Sequence, residues 1–588
     1  MLAILVITPL VVAALIAMLL HDRRAAGYVT LAASVLSLLL VLYLLVNNPG
    51  AQSVTWFSVS GFTFSIDTAL LQLNTLMLLL VAVMAPIVLL YSIGFMSVPS
   101  ERGRYYFEMC ILAASMMLFS MSSNFITLLI SWELLSLASY LLIGFWYRNE
   151  RAQGAARKAI AAVLIGDLLI FASMLLVWNA YGSLSFATML QQPANPEVAV
   201  ALALVMIAAL TKSAQFPFHE WLPDAMEGPT PSSAFILSST IAKAGVFLLA
   251  LMLPLFARYD LLGILVIVGS ITALLAVSNA LAENSIKRLL AYSTMENLGL
   301  MVIALGFNAL LAAMLLFVAQ TFYTALLFLC AGAIMRANDH EDDIYRLHGT
   351  PIRTPLFIAM IIGVVSVAGI LPLAGFFAIS SIGTAASFNM PVYLLLVLIG
   401  FVSSLCMFKW MFVPVRHGAR SEIKGVYGAL PKSITVPIYV LAALAVLSVL
   451  AYMYLPAFLG APGIAVHGIS LESAVLESMA AIAGLGAAYV LYMNSKPYNM
   501  KLHLRLYAVL YNGVLVNIFY QGVARAVMAL SRAVCAFDRA LYSFMRGMAG
   551  AVSRFGSMLR VMIDGREDVY VSVFVIAAIA AIVLFVVW

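Results

Sequence analysis

Glu133, Lys212 and Lys243 stand inside apolar stretches: Ile130-Ser-Trp-Glu133-Leu134, Ala209-Leu-Thr-Lys212-Ser213 and Thr240-Ile-Ala-Lys243-Ala244. A charge at mid-bilayer costs at least roughly 2.5–3.5 kcal/mol. It persists where it faces a polar interior, has a partner, or carries ions. A buried lysine shifts its proton affinity readily, so one that gains or loses a carboxylate neighbour can take up or release a proton. Glu133 is expected to partner Lys212. Lys243, on the following span, is expected to receive the proton through water. Static pairing between helices is the alternative for all three.

Other ionisable groups extend this set. Asp167, in Ile165-Gly166-Asp167-Leu168, is also mid-membrane and reads equally as relay or structural pair. Lys287 and Arg288 open the tenth apolar stretch, with Glu296 deeper in it. Lys409 is expected to snorkel to the cytoplasmic edge, and Glu477 to sit at the interface. His219 and Glu220 lack the H-E-x-x-H spacing of a zinc site. Cys110, Cys330, Cys406 and Cys535 show no C-x-x-C spacing. They are expected to be buried small apolar residues, and no cluster or metal site is expected. No nucleotide loop, dinucleotide fingerprint or nucleophile motif stands out, so redox chemistry is expected in partner subunits.

The elements that position these groups follow from composition. Of 588 residues, 64% are hydrophobic and 10% charged, with a formal charge of +6. That balance excludes a soluble domain. About sixteen apolar stretches of membrane-spanning length are expected, from Met1–Leu20 to Val569–Trp588. Arg and Lys cluster after odd-numbered stretches, as at Arg23 and Arg24, Arg102 and Arg104, and Arg148 to Lys158. The positive-inside rule then places these connections in the cytoplasm and both termini outside. Asn48–Asp67 reads as a β-hairpin lid. The seventh stretch is interrupted at Ser213-Ala-Gln-Phe-Pro217 and the twelfth at Gly369-Ile-Leu-Pro372-Leu-Ala-Gly375. Paired breaks are the mark of a transporter built from inverted repeats, and two ordinary proline kinks are the alternative. Asn517–Ile563 carries Arg525, Arg532, Arg539, Arg546, Arg554 and Arg560 beside an apolar stripe. It reads as one long amphipathic helix lying along the membrane, or as two broken near Gly547 or Gly550.

Several stretches resemble a known family. They are Ser131-Trp-Glu133-Leu with Ser139-Tyr-Leu-Leu-Ile-Gly-Phe-Trp146, Lys212-Ser-Ala-Gln-Phe-Pro217 running on to Pro231, Ile286-Lys-Arg-Leu-Leu-Ala-Tyr-Ser293, and Ala325-Leu-Leu-Phe-Leu329. They are similar to the proton-pumping, antiporter-like subunits of respiratory complex I. That family includes the L-type subunit of NADH dehydrogenase, Mrp sodium/proton antiporters, and the membrane arms of energy-converting hydrogenases and reduced-deazaflavin dehydrogenases.

The resemblance implies an all-α polytopic membrane fold of about sixteen transmembrane helices. It implies two inverted five-helix repeats at 105–256 and 257–415, with helices 7 and 12 broken. N-terminal helices occupy 1–104 and further helices 416–495. A lateral amphipathic helix takes 496–567 and a last span 568–588. Glu133, Asp167, Lys212, Lys243, Lys287 and Glu296 become an intramembrane proton relay. Partners are other antiporter-like and membrane subunits and the bilayer. Flavin, iron–sulfur or nickel–iron centres are expected in those partners, none in this chain, and no nucleic acid.

The Glu296-Asn297-Leu-Gly299 run resembles the hydrogenase branch. The family pattern departs on three helices: Leu237 replaces a histidine, Gln320 and Thr324 replace titratable groups, and Ile379-Ser380 replaces Lys-Asp. Ser366, Ser380 and Ser381 can order water but not hold a proton. A structural membrane-arm subunit without a complete proton path, and an Mrp-type sodium/proton antiporter subunit, are the alternative readings.

Overall fold

The computed structural model describes residues 2–21, 23–47, 50–59, 62–96, 101–347, 354–415, 430–460, 469–493, 514–562 and 565–587. The chain forms two compact units, Met1–Tyr511 and Asn512–Trp588.

In the first unit, α1 (Leu2–Leu20) and α2 (Ala25–Asn47) precede strands β1 (Gln52–Val59) and β2 (Phe62–Thr68). Next come α3 (Gln72–Phe95), α4 (Arg102–Met121), α5 (Phe125–Ile143), α6 (Glu150–Tyr181), a short α7 (Phe186–Gln191) and α8 (Pro196–Lys212). After a break follow α9 (Trp221–Asp224), α10 (Thr230–Ser238), α11 (Ile241–Leu251) and α12 (Leu253–Arg258). Long helices α13 (Leu262–Ala282), α14 (Ile286–Gly306) and α15 (Leu310–Ala337) come next. A second break separates α16 (Thr354–Val367) from α17 (Ala374–Ala386). The unit closes with α18 (Met390–Val415), α19 (Lys432–Leu447), α20 (Leu450–Phe458) and α21 (Leu471–Tyr492).

Among the described residues, 11 helices are long and apolar enough to span a membrane, or 12 if the bent pair α19–α20 is one span. The sequence reading expected about sixteen. The difference lies in stretches carried by shorter helices, among them Ile4–Leu20, Thr354–Val367 and Ala374–Ala386, and in α4, which is long enough at 20 residues but not among the counted spans. α14 and α15 are buried over most of their length and lie in the interior, whereas α2, α6 and α13 leave a face exposed.

Both expected interruptions are present, between Lys212 and Trp221 and between Val367 and Ala374. Two further ones were not expected. The eighth stretch breaks at Ser239–Thr240, between α10 and α11. Its Ser238-Ser239-Thr240 run competes with the helix for backbone hydrogen bonds, and Thr240 Oγ1 donates to the Phe235 carbonyl. The fourteenth bends by 68° between α19 and α20.

The hairpin is antiparallel, with Val54 opposite Ile66 and an irregularity between Thr55 and Phe57. It is fastened to the start of α5. Asn124, the N-cap of α5, donates to Asp67 Oδ2 at 2.7 Å and accepts from the Thr127 amide at 2.8 Å. Thr127 Oγ1 accepts from the Asp67 amide at 2.9 Å.

In the second unit, α22 (Val514–Met562) is a single helix of 49 residues. It runs unbroken through Gly547 and Gly550, and its length is about 70 Å. An apolar span, α23 (Glu567–Val587), follows. Residues 496–513 of the expected lateral segment lie outside the described residues. Cys110, Cys330 and Cys406 are buried as expected, whereas Cys535 is exposed on α22.

Candidate functional site

Lys212 ends α8, where unpaired carbonyls and the helix dipole favour a cation. The break after it exists because Ser213 to Pro217 cannot continue the helix. Lys212 is completely buried. Its Nζ donates to the Trp132 carbonyl at 2.6 Å, lies 3.7 Å from the Trp132 ring centroid, and sits 3.6 Å from Asp167 Oδ1. The other Asp167 oxygen accepts from Ser136 Oγ at 3.1 Å. Three helices therefore converge: α5 through Trp132 and Ser136, α6 through Asp167, and α8 through Lys212.

The glycines make that convergence possible. A Cβ on Gly166 would collide with Thr211 Oγ1, and one on Gly245 with the Ala209 carbonyl and Ser213 Oγ. Small residues let α6 and α11 approach α8 closely.

The expected Glu133–Lys212 pair is corrected by this geometry. The acid in ion-pair contact with Lys212 is Asp167. Glu133 is on the exposed side of α5, beside the exposed Leu134 and Leu137, and interacts with Asp167 and Lys212 only at longer range. Adjacent positions on an α-helix are about 100° apart, so Trp132 is buried against Lys212 while its neighbour Glu133 points outward, and sequence spacing alone did not resolve that.

Lys243 lies in the first turn of α11, fully buried. Its Nζ donates to the Phe317 carbonyl and to Thr321 Oγ1 on α15 and lies 4.3 Å from the Phe317 ring centroid. The two lysines thus meet opposite helix ends, a carboxyl end for Lys212 and an amino end for Lys243. On α15, Gln320 is buried and neither of its side-chain polar atoms has a hydrogen-bond partner. One turn away, Tyr323 donates to Asn297 Oδ1 at 3.0 Å. Tyr323 also interacts electrostatically with Glu296, which is 4% exposed and accepts from Ser403 Oγ of α18 at 2.8 Å. Polar groups therefore continue from Lys243 across α15 to α14 and α18.

The chain as a whole has relatives among known proteins. A family described as NADH:quinone oxidoreductase/Mrp antiporter, transmembrane, matches residues 122–406. The N-terminus of chain 5 of NADH-ubiquinone oxidoreductase (complex I) matches residues 56–107. NADH-quinone oxidoreductase subunit L of Campylobacter jejuni is 34% identical over 421 residues, 69% of this chain and 69% of that protein. Subunit L of Escherichia coli (strain K12) is 35% identical over 393 residues, 64% of each chain. Chain 5 of the Synechocystis NAD(P)H-quinone oxidoreductase is 34% identical over 411 residues, 65% of this chain and 60% of that protein. The chain belongs to the antiporter-like L/5-type subunit family. The structure of the Mrp complex from Dietzia sp. DQ12-45-1b has the same fold, with TM-score 0.76 and 24% identity over 90% of this chain and 60% of that one. The chain spans less than two thirds of the length of two of these relatives, 60% of the Synechocystis protein and 64% of the Escherichia coli one.

Within this antiporter-like chain, the remaining expected residues scatter. Lys287 is half-buried at the start of α14, and its Nζ donates to the Gly228 carbonyl at 3.0 Å. That ties α14 to the loop before α10. Around it, Lys158 pairs with Glu220 and Asp224, and Arg288 with Asp224, at 2.8–3.0 Å. These half-exposed pairs clamp α6, the segment after the first break, and α14.

Two expectations are overturned. Lys409 does not snorkel: it is 1% exposed and donates to the Leu281 and Glu283 carbonyls at 3.0 and 2.7 Å, capping the end of α13. Unpaired helix-end carbonyls offer it more than the distant water does. Glu477 is not interfacial: it is 6% exposed and faces Gly383 and Ser380 of α17. Its place near the start of a span suggested an interface. Only the packing of α21 against α17 and α18 buries it.

Proposed function

We propose that this chain is an ion-translocating membrane-arm subunit of a redox-driven, complex-I-like pump, and that the ion is the proton. The observation that carries the reading is the completely buried Lys212, seated at the end of a broken helix 3.6 Å from the buried Asp167. A charge pair removed from water is weak as a stabilising device. It is well suited to a step in which the carboxylate's distance sets the lysine's hold on its proton. The family, and its relatives named as quinone oxidoreductase subunits, support the assembly.

Glu133 supplies the coupling. Its carboxylate is exposed on a face otherwise made of leucine, where lipid is a poor solvent for it. A neighbouring antiporter-like subunit covers that face and sets the charge seen by Asp167 and Lys212. When the field shifts, Lys212 passes its proton toward Lys243, and from there along α15 to Glu296. The chain resides in the cytoplasmic membrane with both termini outside, following its basic connections. Electron carriers (flavin, iron–sulfur or nickel–iron) belong to partner subunits.

The test replaces Lys212 with Ala in the intact purified assembly, reconstituted in vesicles, and measures protons moved per electron. The ratio is expected to fall. An unchanged ratio with the assembly intact overturns the pumping reading, and replacing sodium by choline in the same assay identifies a sodium-driven variant.

A further inference from the structure

We infer that Glu477 of α21, with Glu296 of α14, forms a two-carboxylate proton station at the second helix break. It stands where the twelfth span has Ser380 and no ionisable group. The inference rests on the proposed proton pathway and supplies its outer half.

Four observations carry it. Glu296 and Glu477 line one small cavity, with Ser403, Val367 and Ala368 at the break and Ile379 of α17. The cavity holds about 10 Å³ of water-sized space, room for roughly one water. Glu477 is 6% exposed; its carboxylate oxygens make no hydrogen bond of good geometry, and the Ser380 hydroxyl is the polar group facing them. Gly383 provides its berth, since a Cβ there would occupy the position of Glu477 Oε1. The buried hydroxyls of Ser380, which faces Glu477, and of Ser366, which precedes the cavity-lining Val367, make no hydrogen bond of good geometry either. A buried carboxylate that faces one hydroxyl and otherwise apolar groups is unfavourable as an anion, so polar groups left incompletely bonded around a water-sized space point to a mobile occupant.

Charge balance identifies that occupant. No basic residue lines the cavity. Lys409 lies further along α18 and is committed to the carbonyls ending α13. The other titratable groups facing the pair are Tyr323 of α15, Tyr393 and Cys406 of α18, and Glu472 at the start of α21. None brings a compensating positive charge. Two carboxylates there need protons, and the space is too small for a cation that keeps its water shell.

The step is a transfer between carboxyls. The O–H bond of Glu477 breaks and its proton leaves toward Tyr393 and the outer side. A proton from Glu296 then forms a new O–H bond on Glu477 through one water. Glu296 is reloaded from the Tyr323–Asn297 side, so the pair returns to its starting charge. Glu477 lies six residues into α21, roughly 9 Å from its first residue. The positive-inside reading puts that end outside, on the release side.

The experiment uses the intact assembly carrying Glu477→Gln, Gly383→Ala or Lys212→Ala. Two readouts are taken: protons moved per electron, and the infrared C=O stretch of protonated carboxyl groups. In Glu477→Gln the ratio is expected to fall several-fold and one buried carboxyl band to vanish. Gly383→Ala should shift that band and lower the ratio, and Glu477→Asp should restore part of it. If Lys212→Ala lowers the ratio while Glu477→Gln leaves it unchanged, the station is overturned and the pumping reading stands. If neither changes the ratio, the pumping reading fails, and the infrared band alone decides whether Glu477 holds a proton. A band identical in wild type and Glu477→Gln overturns the station.

Discussion

The break after α8 and the break before α17 are built alike and charged differently. In each, an apolar span stops, a few irregular residues follow, and a new helix starts. At the first, a lysine ends the half-helix and a carboxylate, Asp167, stands across from it. At the second, Ser380 takes the corresponding interior and two carboxylates, Glu296 and Glu477, border it with no lysine. Broken helices supply open backbone groups wherever they occur, but the side chains decide what the opening holds. The first break holds a cation against an acid, and the second holds acids that need protons.

Lys212→Ala attacks the first break directly and should have the largest effect. Losing a positioned proton carrier is worth about 10²-fold or more in rate, so proton movement per electron should collapse while electron transfer remains measurable. A variant that pumps normally would show that the two breaks differ in charge without differing in role.

Asp167→Asn and Glu133→Gln rank next, and their order tests the corrected pairing. Asn at 167 removes the carboxylate 3.6 Å from Lys212 and leaves the lysine buried beside neutral groups. Gln at 133 removes a longer-range charge on an exposed face. The Asp167 variant should lose more pumping in the intact assembly. If Glu133→Gln is the more severe, the exposed carboxylate governs Lys212 through a partner subunit and the direct ion pair is secondary.

Much of this was legible in the sequence, and the failures share a cause. Apolar length gave the membrane class, alternating residues the hairpin, the Pro and Gly interruptions both breaks, and the lone charges the inward placement of Lys212 and Lys243. The Arg-studded segment gave α22, because a strong amphipathic period needs no tertiary information. What stayed hidden depends on which helix lies opposite. Asp167 outranks Glu133 because α6 presents it to Lys212 across Gly166. Glu477 is buried because α17 offers Gly383. Lys409 is buried because the end of α13 offers carbonyls. The break at Ser239–Thr240 carried no Gly or Pro, only a run of hydroxyl residues.

Gly166→Ala and Gly375→Ala compare the breaks as packing. The added methyl meets Thr211 Oγ1 in the first case and the Ser366 carbonyl in the second. Each should destabilise by about 1–3 kcal/mol, the range for overpacking, read as a lower melting temperature of the detergent-purified assembly. Gly166→Ala should also reduce pumping, because moving α6 off α8 lengthens the Asp167–Lys212 contact. Should Gly375→Ala reduce pumping equally, helix spacing at the second break matters as much as at the first.

The smallest effect is expected at Asp224, below the first break and outside the buried relay. Its carboxylate accepts from Lys158 at 2.8 Å and from Arg288 at 3.0 Å, tying α6 to α14 across the segment that follows Lys212. These side chains are 27–42% exposed. Exposed pairs contribute only about 0–1 kcal/mol, and salt screens them. Asp224→Asn should therefore lower stability slightly at low ionic strength, hardly at all in high salt, and leave protons per electron unchanged. A pumping defect that persists in high salt would mean that the clamp holds the break in register for Lys212. The contrast between the two breaks would then extend to how each is anchored.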